Sequence, residues 1–325
     1  GVLDPGPPFP WRGRKHRERT QGRSSNMRYP NLFILGAPKC GTTVLSTWLS
    51  QCPEVCFSSG KEPHWFSEEH RLTQSWDVYQ QLFSVDREKW VAEASVWYLY
   101  SDTAVPNILE FNPESRFIVM LREPVGLIAS MHEQHLFNGN ELEGDLARAL
   151  ALNDRRANGE PVMVRRGYQP VSHLAYFQSC ALGAQVKRLL ARADRERVFF
   201  VRFDDLQAQP GRVWKDLLAF LQIDGKEIDF SRRVNGAKCR KSRTLDQIVL
   251  RLASLKQRIG VRSSLGLLSR VRRANVEYRE RPPVPEALKS HIRSVMADDV
   301  RRLDSLLHGA GSQAPSARTE LVLKS

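Results

Sequence analysis

Three apolar runs dominate the pattern along this chain: Leu32-Phe33-Ile34-Leu35, Phe117-Ile118-Val119-Met120-Leu121 and Val198-Phe199-Phe200-Val201. None alternates with polar residues, which predicts parallel strands buried on both faces. Shorter strands are expected at Val55-Cys56-Phe57 and Trp90–Ser95. Between them, helical spacing predicts helices over 42–50 (ended by Cys52-Pro53), 76–83, 103–111, 124–137, 170–192 and 212–221, with a last helix after Pro282-Pro283-Val284-Pro285. Leu245, Ile248, Leu252, Leu255 and Ile259 also repeat at helical spacing and read as a core-facing stripe. The stretch 138–165 is polar and reads partly as loop, and Asn235–Thr244 reads as a basic loop.

Strands alternating with helices predict an α/β fold: a single P-loop-like domain with a central parallel sheet flanked by helices. Its ligand site is expected at the carboxyl ends of the strands. The domain is expected to span 29–308. A basic extension over 1–28, rich in Pro, Gly, Ser and Arg, precedes it, and a flexible tail over 309–325 follows.

The first apolar run leads into Gly36-Ala37-Pro38-Lys39-Cys40-Gly41-Thr42-Thr43, a turn bounded by two glycines that opens a helix. Unpaired N–H groups and the dipole at such a helix start favour an anion, commonly a phosphate. The glycines have the spacing of a nucleotide-triphosphate loop, but Thr42 follows Gly41 where that loop has its lysine, and Lys39 lies inside the turn. The plain alternative is a strand-to-helix turn with no ligand.

The second apolar run ends in Arg122, where a P-loop NTPase carries a magnesium-binding aspartate. A guanidinium there suits bidentate binding of phosphate. Ser130, two turns into the next helix, is placed to give the same phosphate a hydroxyl. Otherwise Arg122 is a strand-end residue paired to Glu123. Asp204 and Asp205 follow the third run and read as turn and cap chemistry ahead of a metal role.

The chain has 325 residues, 41% hydrophobic and 26% charged, with net charge +13. That charge attracts polyanions without choosing among nucleic acid, anionic glycan and phosphorylated cofactor. No RNA-type aromatic interleaving, helix-turn-helix or zinc module accompanies it, so no specific nucleic-acid partner is expected. No apolar run approaches the ~20 residues of a membrane span and no signal peptide is read, so the expected setting is cytoplasmic. The alternative is a Golgi-lumen catalytic domain whose upstream anchor has been removed. Five scattered cysteines read as reduced structural thiols, with Cys52 and Cys56 close enough for a disulfide as the alternative. Backbone amides around Cys40 could lower its pKa, although a small loop-filling residue is the better reading.

The loop at 36–43 resembles the 5′-phosphosulfate loop of the sulfotransferases that use 3′-phosphoadenosine 5′-phosphosulfate (PAPS), and Arg122 with Ser130 resembles their 3′-phosphate motif. Lys61-Glu62-Pro63-His64-Trp65-Phe66 looks like the matching segment of the carbohydrate-directed branch, notably the heparan sulfate enzymes. Glu93-Ala94-Ser95, Phe203-Asp204-Asp205-Leu206 and the closing Pro-rich turn and helix are weaker matches. The resemblance implies sulfuryl transfer from PAPS to a hydroxyl of a carbohydrate or glycoconjugate acceptor, with no metal. It implies Lys39 at the bridging oxygen, and Gly36, Pro38, Gly41, Thr42 and Thr43 around the 5′-phosphate. Arg122 and Ser130 would take the 3′-phosphate, and Tyr168, Lys241 and Arg243 would close over the cofactor. Glu62 is the implied general base, steadied by Lys61. His64 is the competing base, as in small-molecule enzymes. Trp65, Trp97, Tyr98, His132 and His135 are candidates for acceptor contact, each more simply read as core. A kinase or NTPase, or a polyanion-binding protein, is the remoter alternative.

Overall fold

The computed structural model describes residues 29–71, 73, 75–165, 170–230, 238–240, 274–278 and 283–308. Five strands, β1 (Leu32–Gly36), β2 (Val55–Phe57), β3 (Trp90–Ala94), β4 (Arg116–Leu121) and β5 (Val198–Arg202), form one parallel sheet in the order β2-β3-β1-β4-β5. Leu32, Phe33, Ile34 and Leu35 of the middle strand, and Phe117 to Met120 beside it, are fully buried. The first two apolar runs therefore do what their pattern requires, covering both faces with side chains, whereas the third lies on the edge strand β5, where Val198 and Val201 are buried and Phe199 and Phe200 only half-buried. Leu32 pairs with Ala92 on one side and Arg116 on the other. The β1–β4 register then slips after Ile34, so that Gly36 faces Val119 and the Ala37 N–H donates to the Met120 carbonyl at 2.9 Å. At that slip the chain leaves the sheet.

The helices flanking the sheet are α1 (Thr42–Leu49), α2 (Trp76–Gln80), α3 (Ala104–Phe111), α4 (Pro124–Asn138), α5 (Leu146–Ala151), α6 (Asn153–Ala157), α7 (Tyr176–Ser179), α8 (Leu182–Leu190), α9 (Phe203–Ala208), α10 (Pro210–Leu221) and α11 (Glu286–His308). Ile292 and Met296 of α11 are buried, and the helix packs against α8 and α4.

Three expectations need correction, and the partly looped stretch 138–165 gains detail. The helix expected over 170–192 is a 3-10 turn (Val171–Leu174) followed by α7 and α8. It breaks because side chains from elsewhere cap the new starts: Asn153 Oδ1 accepts from the Phe177 N–H at 3.0 Å, and the Asp299 carboxylate accepts from the Gly183 and Ala184 N–H groups at 2.8 Å each. The polar stretch 138–165 holds α5, α6 and an internal ion pair. Arg156 binds Glu141 bidentately at 2.7 and 2.8 Å, with neither side chain exposed, and the Tyr176 hydroxyl donates to the same carboxylate at 3.0 Å. Asp204 and Asp205 lie within the first turn of α9, a helix the polar look of that segment had hidden. The expected basic loop contains β6 (Lys238–Arg240), which pairs antiparallel with β7 (Val276–Tyr278) and lies beside α4. The stripe at 245–259 and the two terminal segments lie outside the described residues.

An Arg156→Met substitution leaves Glu141 buried without its partner and is expected to lower stability by about 3–5 kcal/mol in urea unfolding. Adding Glu141→Leu is expected to cost less than the sum of the two single changes.

Candidate active site

The carboxyl ends of all five strands meet at one edge, and the segments carrying Lys39, Arg122 and Glu62 leave the sheet there. After β1 the backbone turns through Lys39 (φ 62°) and Gly41 (φ 94°) into α1. Gly41 caps that helix with no side-chain hydrogen bond, and the first turn holds no acidic residue. The positive end of α1 therefore keeps donors that no carboxylate of its own neutralises. At α4 the opposite holds: the Glu123 carboxylate accepts from the N–H groups of Val125 (2.9 Å) and Gly126. Gly36 (φ 120°) has no room for a side chain, since a Cβ there would sit 2.2 Å from the Val96 carbonyl oxygen.

Arg122 leaves β4 and folds toward the loop, where its Nη1 donates to the Lys39 carbonyl at 2.9 Å and its guanidinium lies 4.3 Å from the ring centre of Phe203 at the start of α9. Glu123 is engaged as the α4 cap, so the strand-end pairing with Arg122 is not needed to explain either residue. Lys39 Nζ donates to Gln134 Oε1 at 2.9 Å. Ser130, buried on α4, lies one turn before Gln134 on the same face. Lys39, Arg122 and the face of α4 bearing Ser130 are thus brought together. Thr42 is buried and Thr43 exposed at the start of α1.

The second cluster follows β2. Glu62 and His64 both have φ 50°, an uncommon conformation for residues with side chains, and such strain gathers at functional sites. Glu62 Oε2 lies 3.7 Å from His64 Nε2, with the Glu62 side chain 32% and the His64 side chain 4% accessible. Lys61 is exposed. The His64 N–H donates to Ser95 Oγ at 3.1 Å and the Phe66 N–H to the Tyr98 hydroxyl at 3.0 Å. Ser95 and Val96 are adjacent, so the exit of β3 touches both clusters, Glu62-Pro63-His64 on one side and Gly36 on the other.

Trp65, Trp97, Tyr98, His132 and His135 are all buried. Trp97 stacks on His173 with ring centres 3.6 Å apart, and His173 meets His70 through their Nε2 atoms at 3.4 Å. Burial holds His70 down to about 4 and His135 to about 3. The lowered-pKa reading of Cys40 is overturned: burial pushes its thiol well above the usual range. Cys52 and Cys56 are free thiols, so the disulfide alternative also falls. Asp205 lies 3.5 Å from Arg212, and no group of three His, Cys, Asp or Glu among the described residues could hold a metal ion. Tyr168, Lys241 and Arg243 lie outside the described residues. Gln134 carried no sequence signal of its own, being one amide on a helix, and Phe203 entered only within the weak match Phe203-Asp204-Asp205-Leu206.

The sequence matches the family model for the sulfotransferase domain over residues 29–248. The chain belongs to the sulfotransferase family. It is 28% identical to mouse carbohydrate sulfotransferase 15 over 48% of this chain and 39% of that protein. It is also 28% identical to the membrane-associated sulfotransferase kil1 of Dictyostelium discoideum, over 30% of this chain and 21% of that protein. The chain spans well under half the length of these curated relatives. A crystal structure of a sulfotransferase from Alicyclobacillus acidocaldarius superimposes with TM-score 0.64 at 24% identity, covering 87% of this chain and 97% of that one. This likeness shows the shared fold. No helix among the described residues is long and apolar enough to cross a membrane.

One buried acid gives the fold a measurable pH dependence. Glu93 of β3 is fully buried, accepts from the Tyr79 hydroxyl at 2.7 Å, and is raised by burial from 4.5 to about 7. Between those values the folded protein keeps a proton that the unfolded chain has lost, so this group makes stability fall as pH rises. The depressed histidines act oppositely, adding stability as pH climbs toward 6.5. Glu93→Gln removes only the first slope. Relative to the parent, it is expected to gain about 3 kcal/mol between about pH 4.5 and pH 7.5, read by urea unfolding at both values.

Proposed function

We propose that this sulfotransferase moves a sulfuryl group from PAPS, the donor its family uses, to a hydroxyl of a carbohydrate or glycoconjugate acceptor. The observation that carries the reading is the junction of the two candidate phosphate elements: an α1 start with no side-chain cap and Lys39 in its turn, joined through the Lys39 carbonyl to Arg122. Two fixed cations flanking a helix start with no acidic first turn suit a donor bearing separate 5′ and 3′ phosphates. An NTPase would carry a carboxylate in place of Arg122. The α1 amides with Thr42 and Thr43 would hold the 5′-phosphate, within the turn shaped by Gly36, Pro38 and Gly41. Arg122 and Ser130 would hold the 3′-phosphate, and Tyr168, Lys241 and Arg243 would complete the donor site.

In sulfuryl transfer the bond from sulfur to the bridging phosphate oxygen breaks as the bond to the acceptor oxygen forms. The site must neutralise charge growing on the bridging oxygen and remove the acceptor proton. Lys39 serves the first need and Glu62 the second, with Lys61 beside it. Glu62 is favoured over His64 because its carboxylate reaches solvent, whereas His64 is nearly enclosed and touches Glu62 at 3.7 Å. His64 then orients the base. If it were itself the base, a smaller acceptor able to enter would be needed. The carbohydrate acceptor rests on the likeness to carbohydrate sulfotransferase 15.

The test is transfer of label from PAPS to a panel of glycan, lipid-linked, phenolic and peptide-tyrosine acceptors. Lys39→Ala is expected to lower kcat by about 100- to 1,000-fold, as for loss of a preorganised donor. Glu62→Gln is expected to lower it by about 100-fold or more with His64→Gln milder. Transfer undiminished by the first two changes, or transfer to phenols alone, would overturn this reading.

A further inference from the structure

Lys39 is held at both ends by residues that follow β4. Its carbonyl accepts from Arg122, and its ammonium donates to Gln134 Oε1 at 2.9 Å. Gln134 Nε2 in turn donates to Asn138 Oδ1 at 2.9 Å. The second bond decides which end of the amide meets the lysine. Asn138 accepts the NH2 group, so the oxygen is the end left facing an ammonium, which can only donate. Ser130, Gln134 and Asn138 succeed one another by single turns and line one face of α4.

We infer that Gln134 is a positioning residue for Lys39, with Asn138 fixing the orientation of its amide. The inference rests on the proposed role of Lys39 in sulfuryl transfer. Lysine carries its charge on a flexible four-carbon stem, and an ammonium that serves a growing negative charge works best when already in place. An amide oxygen directs it without adding a negative charge of its own to a site that receives phosphate. A carboxylate at the same position would grip the lysine harder and repel the donor. Gln134 thereby makes α4 bind at one point along its face and aim at the next: Ser130 toward the 3′-phosphate, Gln134 toward the catalytic lysine.

The experiment compares the unsubstituted protein with Gln134→Met, Gln134→Glu, Lys39→Ala and the Lys39→Ala/Gln134→Met double variant. It reads transfer from radiolabelled PAPS, and calorimetric binding of the product nucleotide, 3′-phosphoadenosine 5′-phosphate. Gln134→Met is expected to lower kcat about 10-fold while nucleotide affinity and KM for PAPS stay within about twofold, as for one lost charge-assisted hydrogen bond. In the Lys39→Ala background the same change is expected to do nothing further. Gln134→Glu, nearly isosteric and so the control for folding, is expected to lower kcat and weaken nucleotide binding together. A Gln134→Met enzyme equal to the parent, or an equal loss in the Lys39→Ala background, overturns the inference while leaving the proposed function standing. An unsubstituted protein that neither binds the nucleotide nor transfers label overturns both.

Discussion

A parallel sheet covered on both faces has nowhere to put a charge except at its ends. In this protein the middle strands β1 and β4 are closed by side chains from above and below, and the charged groups start where each strand stops: Lys39 past Gly36, Arg122 past Leu121, Glu62 past Phe57. Because the strands run the same way, those ends share one edge. Dipoles, cations and the half-buried Glu62 carboxylate are thereby collected without any one loop having to reach far. Glu93, the carboxyl within the sheet, shows the alternative: enclosed on β3, it is driven toward its neutral form.

Within that edge the order of the strands decides which groups meet. Since β4 lies between β1 and β5, Arg122 can rest on Phe203 from the β5 side and still reach the Lys39 carbonyl on the β1 side. Since β3 lies between β1 and β2, its exit passes between Gly36 of the β1–α1 loop and the backbone of His64. The loop cannot shift toward β3, because the Val96 carbonyl already fills the space that a side chain at Gly36 would need. The two clusters are separate in sequence and tied through short backbone contacts.

The sheet was readable because its strands are long, apolar and unalternating, a pattern that few other arrangements tolerate. The positions of Lys39 and Arg122 followed from where those runs stop, and Glu62 from a resemblance in the segment 61–66. What stayed hidden depends on partners distant in sequence. Helical spacing continues across 170–192, and only Asn153 and Asp299, brought in by the fold, divide it. The segment 138–165 is partly loop, as it read, but its polarity hid that the charges of Glu141 and Arg156 are spent on each other inside the protein. Gln134 is one polar residue among several on α4, and only the folded loop shows that Lys39 ends on it.

The bonds that the start of α8 gives to Asp299 tie α11 to the body of the fold. The family match stops at residue 248, yet α11, which begins at Glu286, supplies the cap of α8, and its Asp304 pairs with Arg202 at the end of β5 at 3.0 Å. A fragment cut at the boundary of the match would keep every strand of the sheet. It would still lose the carboxylate that ends two backbone donors and the apolar surface of Ile292 and Met296. The family match therefore ends before the last helix that packs on this fold and caps one of its helices.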